Sequence, residues 1–526
     1  MLELYFNLIY WPTKGLRPFQ AVEVQWTSSR SYSLRRSPIF RYFYGKYALS
    51  RPVIGIINTG SGLQPFRGVQ LNGGLPIEFP TISLHESFAS PTSMYLRNLL
   101  SIDTEEMIKA QPLDACSVVS TQIMGGISAN KPILPLVTGP MMPGSYRGTR
   151  IGACTDCRRV FIDIEDIAAL NDELAPTSGT CGVMGTASTM ACITAALGAS
   201  APAVSAARLR VAEETGKNAV AAVSNALHPQ TILTKESFLN AITVLQAIGG
   251  STNGVVHLMG NGKQTSERRC GDNYMSDFHN AGGMTALLQT LRPLLFLSAR
   301  TMTGQSLGEV LDAAVAHDFP YSQEIIRPLS NPLYPCSSIV VLRGNLAPGG
   351  AVIKASASKD RRLLNHVGPA VVFSDTADLA RRIDDPELPV TADSVLVLKG
   401  IGPIGHPGMP EAGLIPIPRK LGAAGVQDML RLSDGRMSGT AGGTIVLHIS
   451  PESVLSASVF GVVQDGDLIK CDVENRVLHL DVSDDEIARR IAERIKKRGY
   501  RGLYERSVNQ AEHGVDFDFL TASGPA

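Results

Sequence analysis

The chain has 526 residues, 44% of them hydrophobic, and its 48 Lys and Arg balance 48 Asp and Glu. Zero formal net charge removes the electrostatic case for a nucleic-acid partner, and no uninterrupted apolar run reaches the length of about 18 residues that a membrane helix needs. This length predicts two or more domains, and the composition is that of a soluble α/β enzyme. The eight cysteines (Cys116, Cys154, Cys157, Cys181, Cys192, Cys270, Cys336, Cys471) are too scattered for a small disulfide framework. They read as reduced thiols available to a metal or cluster, and only Cys154-Thr-Asp-Cys157 has a short, metal-like spacing.

Residues 1–50 hold 12 of the 31 aromatic residues, including Trp11 and Trp26, and seven Lys or Arg against Glu3 and Glu23 alone. Such a basic, acid-poor leader reads either as a mitochondrial transit segment or as an extension outside the folded protein, which leaves the compartment open between cytoplasm and mitochondrion. Regular structure is expected from Arg51. Pro52 to Asn58 is a short apolar run entering Thr59-Gly-Ser-Gly62, the pattern of a buried strand and loop. Residues 76–82 are a second extended stretch, Thr92 to Ile108 has helical periodicity, and 133–138 is another buried strand. Strands alternating with helices predict a parallel, helix-covered sheet.

A small-residue helix is expected over Thr186 to Leu197. A second, from Lys235 to Ile248, runs into Gly249-Gly-Ser-Thr-Asn253 and a further helix. That Gly-Gly turn either offers backbone N–H groups to an anion or is a plain cap. The Pro- and Ser-rich stretch 328–337 looks like a domain boundary. Beyond it, 339–353 reads as strand, turn, strand; 370–373, 394–399 and 444–449 add strands; and a charged helix is expected from Asp485 to Arg498. The expected organisation is an extension (1–50), a parallel-sheet α/β domain (51–330), a strand-rich, β-barrel-like domain (338–500) and a C-terminal tail (501–526).

Five segments carry a resemblance: Thr180-Cys-Gly-Val-Met-Gly-Thr-Ala-Ser-Thr-Met190, Gly249-Gly-Ser-Thr-Asn253, Leu342-Arg-Gly-Asn-Leu-Ala-Pro-Gly-Gly-Ala-Val-Ile353, His406-Pro-Gly-Met-Pro-Glu411 and Ser433-Asp-Gly-Arg-Met-Ser-Gly-Thr440. Together, in this order, they resemble the dihydroxy-acid and sugar-acid (pentonate, phosphogluconate) dehydratase family, from about Arg51 to the Asp516-Phe-Asp-Phe-Leu520 ending. The segment Glu78-Phe-Pro-Thr-Ile-Ser-Leu-His-Glu86 looks closer to the sugar-acid branch. The resemblance implies a hydro-lyase that takes water from a 2,3-dihydroxy carboxylic acid or aldonic acid and gives a 2-keto acid. It implies a [2Fe-2S] cluster on three cysteines, a Mg²⁺ ion, a homo-oligomer, and a site between the two domains.

The chemistry explains such an apparatus. A proton α to a carboxylate is weakly acidic and needs a cation beside the developing charge, while hydroxide leaves poorly without an acid. Carried over by motif, Ser438 matches the base and Thr440 a substrate contact. Glu86 and Glu411 match Mg²⁺ ligands of the hard oxygen type, and Cys181 matches one cluster thiolate.

The pattern also departs from the family. Asn58-Thr-Gly-Ser-Gly-Leu-Gln-Pro65 is followed by Phe66 where a cluster cysteine is expected, and the helix expected next looks absent. Leu113 to Val119 passes directly into Ser120-Thr-Gln-Ile-Met124 without the Cys-Asp-Lys segment, and 260–272 looks shortened. Cys116, or Cys154 with Cys157, would serve as substitutes only in a remodelled site. Three readings stay open: a sequence missing coded segments of an intact enzyme, an inactive homologue with a binding or regulatory role, and a rebuilt metal site.

Overall fold

The computed structural model describes residues 50–58, 65–81, 93–118, 123–137, 139–151, 173, 176–177, 179–198, 208–258, 274–314, 324–332, 338–406, 409, 413–437, 442–493 and 507–515. The first half is built on strands β1 (Val53–Asn58), β2 (Leu75–Pro80), β3 (Ala115–Val118) and β4 (Ile133–Pro135), in the order β2-β1-β3-β4, every pair parallel. β1 and β3 are buried throughout, which is why they read as continuous apolar runs rather than alternating ones. Two apolar layers cover the sheet. Val53, Ile57, Ile108 and Cys116 lie in one, and Ile54, Val69, Ala115 and Ala219 in the other.

Helix α1 (Phe66–Leu71) occupies the place where the sequence suggests that a helix is missing. It is short, and it packs against the long helix α4 (Arg208–Ser224); α2 (Ser93–Ala110) and α3 (Thr186–Ala196) lie between them in the chain. Gly68 permits the crossing, because a Cβ there would lie 1.8 Å from the Glu213 carbonyl oxygen. A small hairpin, β5 (Gly144–Tyr146) with β6 (Thr149–Ile151), was not apparent from the apolar pattern.

Helices α3, α5 (Lys235–Ala247) and α6 (Asn253–Leu258) form a separate apolar cluster. Thr234 starts α5 with a capping box, its side chain accepting from the Ser237 amide at 3.4 Å while Ser237 Oγ accepts from the Thr234 amide at 2.9 Å.

The second half closes into an eight-stranded barrel in the order β10-β11-β12-β8-β7-β14-β13-β9. Its strands are β7 (Val340–Gly344), β8 (Ala347–Ile353), β9 (Asn365–Phe373), β10 (Val395–Leu398), β11 (Arg431–Ser433), β12 (Ile445–Ser450), β13 (Leu468–Asp472) and β14 (Val477–Leu480). Leu342, Ile353, Val397, Leu432, Val446, Ile469 and Leu478 belong to the apolar cluster that fills it. Closure removes free sheet edges. The charged helix α7 (Asp484–Ala492) begins at Ser483, whose side chain accepts the Glu486 amide, and Arg490 of this helix pairs with Asp467 at 2.7 Å. Mixed α/β architecture, with a parallel sheet followed by a barrel, agrees with the sequence reading.

The two halves share a core. Ile339 and Val352 of the second half pack with Ile193, Leu245 and Leu288. Gln246 supports the junction: its Nε2 donates to the Ile339 carbonyl at 3.2 Å, and its carbonyl accepts from Ser338 Oγ at 2.9 Å.

Candidate active site

Because β1 to β4 run parallel, their carboxyl ends lie along one edge, the edge at which open α/β sheets bind ligands. Asn58 closes β1. It is buried, its Nδ2 donates to Glu78 Oε1, and its carbonyl accepts the Thr81 amide at 2.9 Å. Beyond β4, Pro140 bridges in parallel to Thr180; the Thr180 amide donates to the Gly139 carbonyl at 3.1 Å, and the Met141 amide to the Thr180 carbonyl at 2.8 Å. These bonds carry Cys181 to the carboxyl edge. Its thiol is half-buried and precedes α3, and Ser188 Oγ of that helix donates back to the Cys181 and Val183 carbonyls at 3.3 and 3.0 Å.

The Gly249–Asn253 turn is a cap. The amides of Gly249 and Gly250 go to the Gln246 and Leu245 carbonyls, those of Ser251 and Asn253 to Thr189 Oγ1 and Ser251 Oγ, and that of Gly254 to the Ser251 carbonyl. Asn253 Nδ2 also donates to Thr186 Oγ1 at 2.9 Å, tying α6 to the start of α3. Internal partners therefore take the N–H groups of Gly249, Gly250, Ser251 and Asn253.

On the barrel side, two motifs far apart in sequence meet at Arg436. Its Nε donates to the Met409 carbonyl at 2.5 Å, and its own carbonyl accepts the Gly413 amide at 2.8 Å. Met409 and Gly413 bracket Glu411 in the chain, and Arg436 stands two residues before Ser438. Ser438, Thr440, Glu86 and Glu411 themselves lie outside the described residues, as do Cys154 and Cys157 and the stretches 119–122 and 260–272.

Both ends of the 434–444 segment are anchored by buried carboxylates. At one end Asp434 accepts the Ile401 amide at 3.1 Å, the Ser453 amide at 2.8 Å and Ser453 Oγ at 2.5 Å. At the other, Asp428 accepts the Thr444 amide at 2.9 Å, Thr444 Oγ1 at 2.8 Å and Arg431 Nη2 at 2.9 Å. Burial pushes the Asp434 carboxyl above its ordinary range despite these donors. His448 of β12 donates its amide to the Gly435 carbonyl at 3.0 Å. Neither ring nitrogen of His448 has a partner among the described residues, and burial, with the nearby Arg436 charge, pushes its pKa down to about 3.

The two sides adjoin. The turn Ala511–His513 packs against both α6 and β12, and Val508, Ala511 and Val515 share an apolar cluster with Ile404 and Met409. Sequence reasoning missed Arg436, Asp428 and Glu452 as parts of this region. The only local signals are a charged residue inside the Asp434-Gly-Arg motif and another two residues after the apolar strand β12.

The donor set tests the implied groups unequally. A three-thiolate cluster does not fit the described residues. Phe66, half-buried at the start of α1, stands where one thiolate belongs, and Cys116 cannot replace it. Cys116 is mid-strand in β3, fully buried among Val53, Ile108 and Ile133, and desolvation pushes its thiol up to about 12. Of the substitutes that a remodelled site would need, Cys116 is therefore held in the core of the sheet. Cys192 is buried in the helical cluster, and Cys471 in the barrel. Among the described residues no group of three His, Cys, Asp or Glu converges as a metal site.

A parallel sheet followed by a closed barrel, with Met409 and Gly413 joined to Arg436 on the barrel side, defines a two-part α/β architecture. Residues 51–266 match the family described as Dihydroxy-acid/6-phosphogluconate dehydratase N-terminal, and residues 324–515 match its C-terminal counterpart. The chain belongs to the dihydroxy-acid/6-phosphogluconate dehydratase family. It is 38% identical to the 6-deoxy-6-sulfo-D-gluconate dehydratase of Pseudomonas putida over 90% of this chain and 91% of the relative. It is also 38% identical to the L-arabinonate dehydratase of Rhizobium leguminosarum bv. trifolii, over 89% and 90% respectively. Identity to the dihydroxy-acid dehydratase of Caldicellulosiruptor bescii is 31%, over 90% and 95%. No helix among the described residues is long and apolar enough to cross a membrane.

Proposed function

We propose that this chain is a hydro-lyase that converts an aldonic acid, a sugar acid with hydroxyls on C2 and C3, to the 2-keto acid. The observation that carries this is the Arg436 junction, which ties the segment bracketing Glu411 to the motif that holds Ser438. Higher identity to relatives named for sugar acids than to one named for a dihydroxy acid supports the aldonic substrate. The two-domain division at 51–330 and 338–500, with the site between them, and a homo-oligomeric state belong to the same reading.

In this reading Ser438 Oγ takes the C2 proton and Thr440 hydrogen-bonds the substrate carboxylate. Ser438 acts as the alkoxide and becomes the neutral hydroxyl. The C3–O bond breaks, and the departing hydroxide takes up a proton to leave as water. The enol tautomerises to the ketone, and Ser438 gives up its proton to restore the alkoxide. Mg²⁺, held by Glu86 and Glu411, would supply positive charge next to the carboxylate as C2 loses its proton. Arg436 holds Met409 and Gly413, the described residues on either side of Glu411 in the chain. Since one thiolate does not hold a [2Fe-2S] cluster, assistance to the departing hydroxyl is not assigned to one.

The test is keto-acid formation by the anaerobically purified full chain with Mg²⁺ against D-gluconate, L-arabinonate and 2,3-dihydroxyisovalerate, with iron and sulfide analysis alongside. Turnover of the sugar acids, lost by about 10²-fold or more in Ser438→Ala, is expected. No keto acid from any of the three substrates would overturn the assignment.

A further inference from the structure

Residues 507–515 close on themselves through Gln510. Its carbonyl accepts the His513 amide at 2.9 Å and the Val515 amide at 3.4 Å, and the Gly514 amide donates to the Ala511 carbonyl at 3.1 Å. Gly514, with a φ of 87°, supplies the left-handed conformation that ends the turn. The side chain of the same Gln510 reaches outward. Its Nε2 donates to Glu452 Oε1 at 2.8 Å, and its Oε1 accepts the Glu452 amide at 2.9 Å. Glu452 is fully buried and also accepts the Ile404 and Gly405 amides, each at 2.9 Å. One carboxylate therefore latches the turn to the strap from Gly400 to Gly405.

The turn bridges the two halves of the chain. It packs against α6 of the first and β12 of the second, and Val508, Ala511 and Val515 add a small apolar contact with Ile404 and Met409. Its seat on the barrel is imperfect. Glu512 and Ser450 both crowd Gly349 of β8, where a Cβ would lie 2.7 Å from Glu512 Oε1 and 2.8 Å from Ser450 Oγ. Ser450 Oγ and Glu512 Oε2 are buried without a hydrogen-bond partner among the described residues. Burying a polar atom without a partner costs more than a typical hydrogen bond returns, whereas water satisfies both atoms once the turn lifts. The Gln510 latch and the apolar contact thus oppose two desolvation costs at one seat, and a small difference holds the turn shut.

We propose that residues 507–515 form a clasp across the two halves that opens as a unit while the barrel stays folded, freeing α6 from β12. Gln510 is its latch and Ser450 its weak point. The clasp does not depend on the proposed reaction, because none of these contacts takes part in it. Hydrogen exchange of the full native chain, read by mass spectrometry in peptides covering 253–258, 444–450 and 507–515, tests it. Local opening lets a segment exchange without global unfolding, so in wild type 507–515 should exchange faster than 444–450 of the barrel. Gln510→Ala removes the bonds to the Glu452 carboxylate and should speed exchange in 507–515 by roughly 10–100-fold. The α6 peptide should follow it, and the barrel peptide should not change. Ser450→Ala removes a hydroxyl that the shut clasp leaves unpaired, and should slow exchange in 507–515 by roughly tenfold.

Opposite effects of the two variants, with the barrel peptide constant, separate a clasp from a turn that merely adds stability. Equal acceleration of all three peptides in Gln510→Ala means that the turn opens only when the chain unfolds, and it overturns the clasp. So does exchange in wild-type 507–515 as slow as in the barrel, or an α6 peptide that does not respond. Unchanged or faster exchange in Ser450→Ala shows that the shut seat satisfies the hydroxyl, and it overturns the balance on which the opening rests.

Discussion

Arg436 reaches across to the carbonyl of Met409, 27 residues earlier in the chain, and both residues are buried. The bond is charge-assisted, and the Gly413 amide on the Arg436 carbonyl closes the loop from the other side. Removing the guanidinium leaves a buried carbonyl without this donor and frees the segment that contains Glu411. Hydrogen bonds of this kind are worth about 1.5–3 kcal/mol, or roughly 10–100-fold if expressed in the geometry of catalysis. Arg436→Met should therefore lower kcat for the sugar acid by that order while the protein still folds, as read by circular dichroism and initial rates.

Asp428 anchors the far end of the same segment and forms a buried pair with Arg431. Replacing one member of such a pair strands the other charge, which typically costs about 3–5 kcal/mol. Asp428→Ala should lower the urea midpoint by a corresponding amount. The double variant Asp428→Ala/Arg431→Met should recover part of the loss, because no charge is then left buried.

Stability should peak between two opposed titrations. Burial, together with the Asp434 charge, holds the Glu452 carboxyl up to about 7, whereas an unfolded Glu releases its proton near pH ~4.3. Between those values the folded chain binds more protons, so this contribution is complete below the unfolded value and is lost as the pH rises through 7. His448 works in the other direction. Its folded pKa of about 3 lies below the unfolded value of ~6.5, so stability is complete above that value and is lost as the pH falls toward 3. Melting temperatures taken from pH 4 to 9 should show both limbs. Glu452→Gln should flatten the limb above pH 5, and His448→Asn the limb below pH 6.

Thiol chemistry separates the cysteines by environment. Iodoacetamide should modify Cys181 in the native protein, whereas Cys116, Cys192 and Cys471 should react only after denaturation, because their side chains are buried. Peptide mapping by mass spectrometry reads this directly. Native-state labelling of Cys116 would show that β3 opens and would restore it as a candidate ligand.

Much of the fold was legible in residue order. The continuous apolar runs of β1 and β3, with the helical periodicity between them, identify a buried parallel sheet. The run from 339 to 353 identifies the first barrel hairpin. Short strands such as Arg431–Ser433 were not legible, since three residues establish no period and their partners are supplied by the closed barrel. Of the candidate site residues, the described part of the structure places Cys181 at the sheet edge.

The amino-acid sequence alone determined the order of motifs, the family they mark, and the thiols and carboxylates available to the chemistry. Periodicity and motif spacing are properties of neighbouring residues, so they survive without a fold. Tertiary structure decided that Arg436 clasps Met409, that Glu452 grips the strap from Gly400 to Gly405, and that Cys116 lies in the core. Those outcomes depend on burial and on partners tens of residues away. A carboxylate, a guanidinium or a thiol has the same letter in the chain whether water surrounds it or the fold has taken water away.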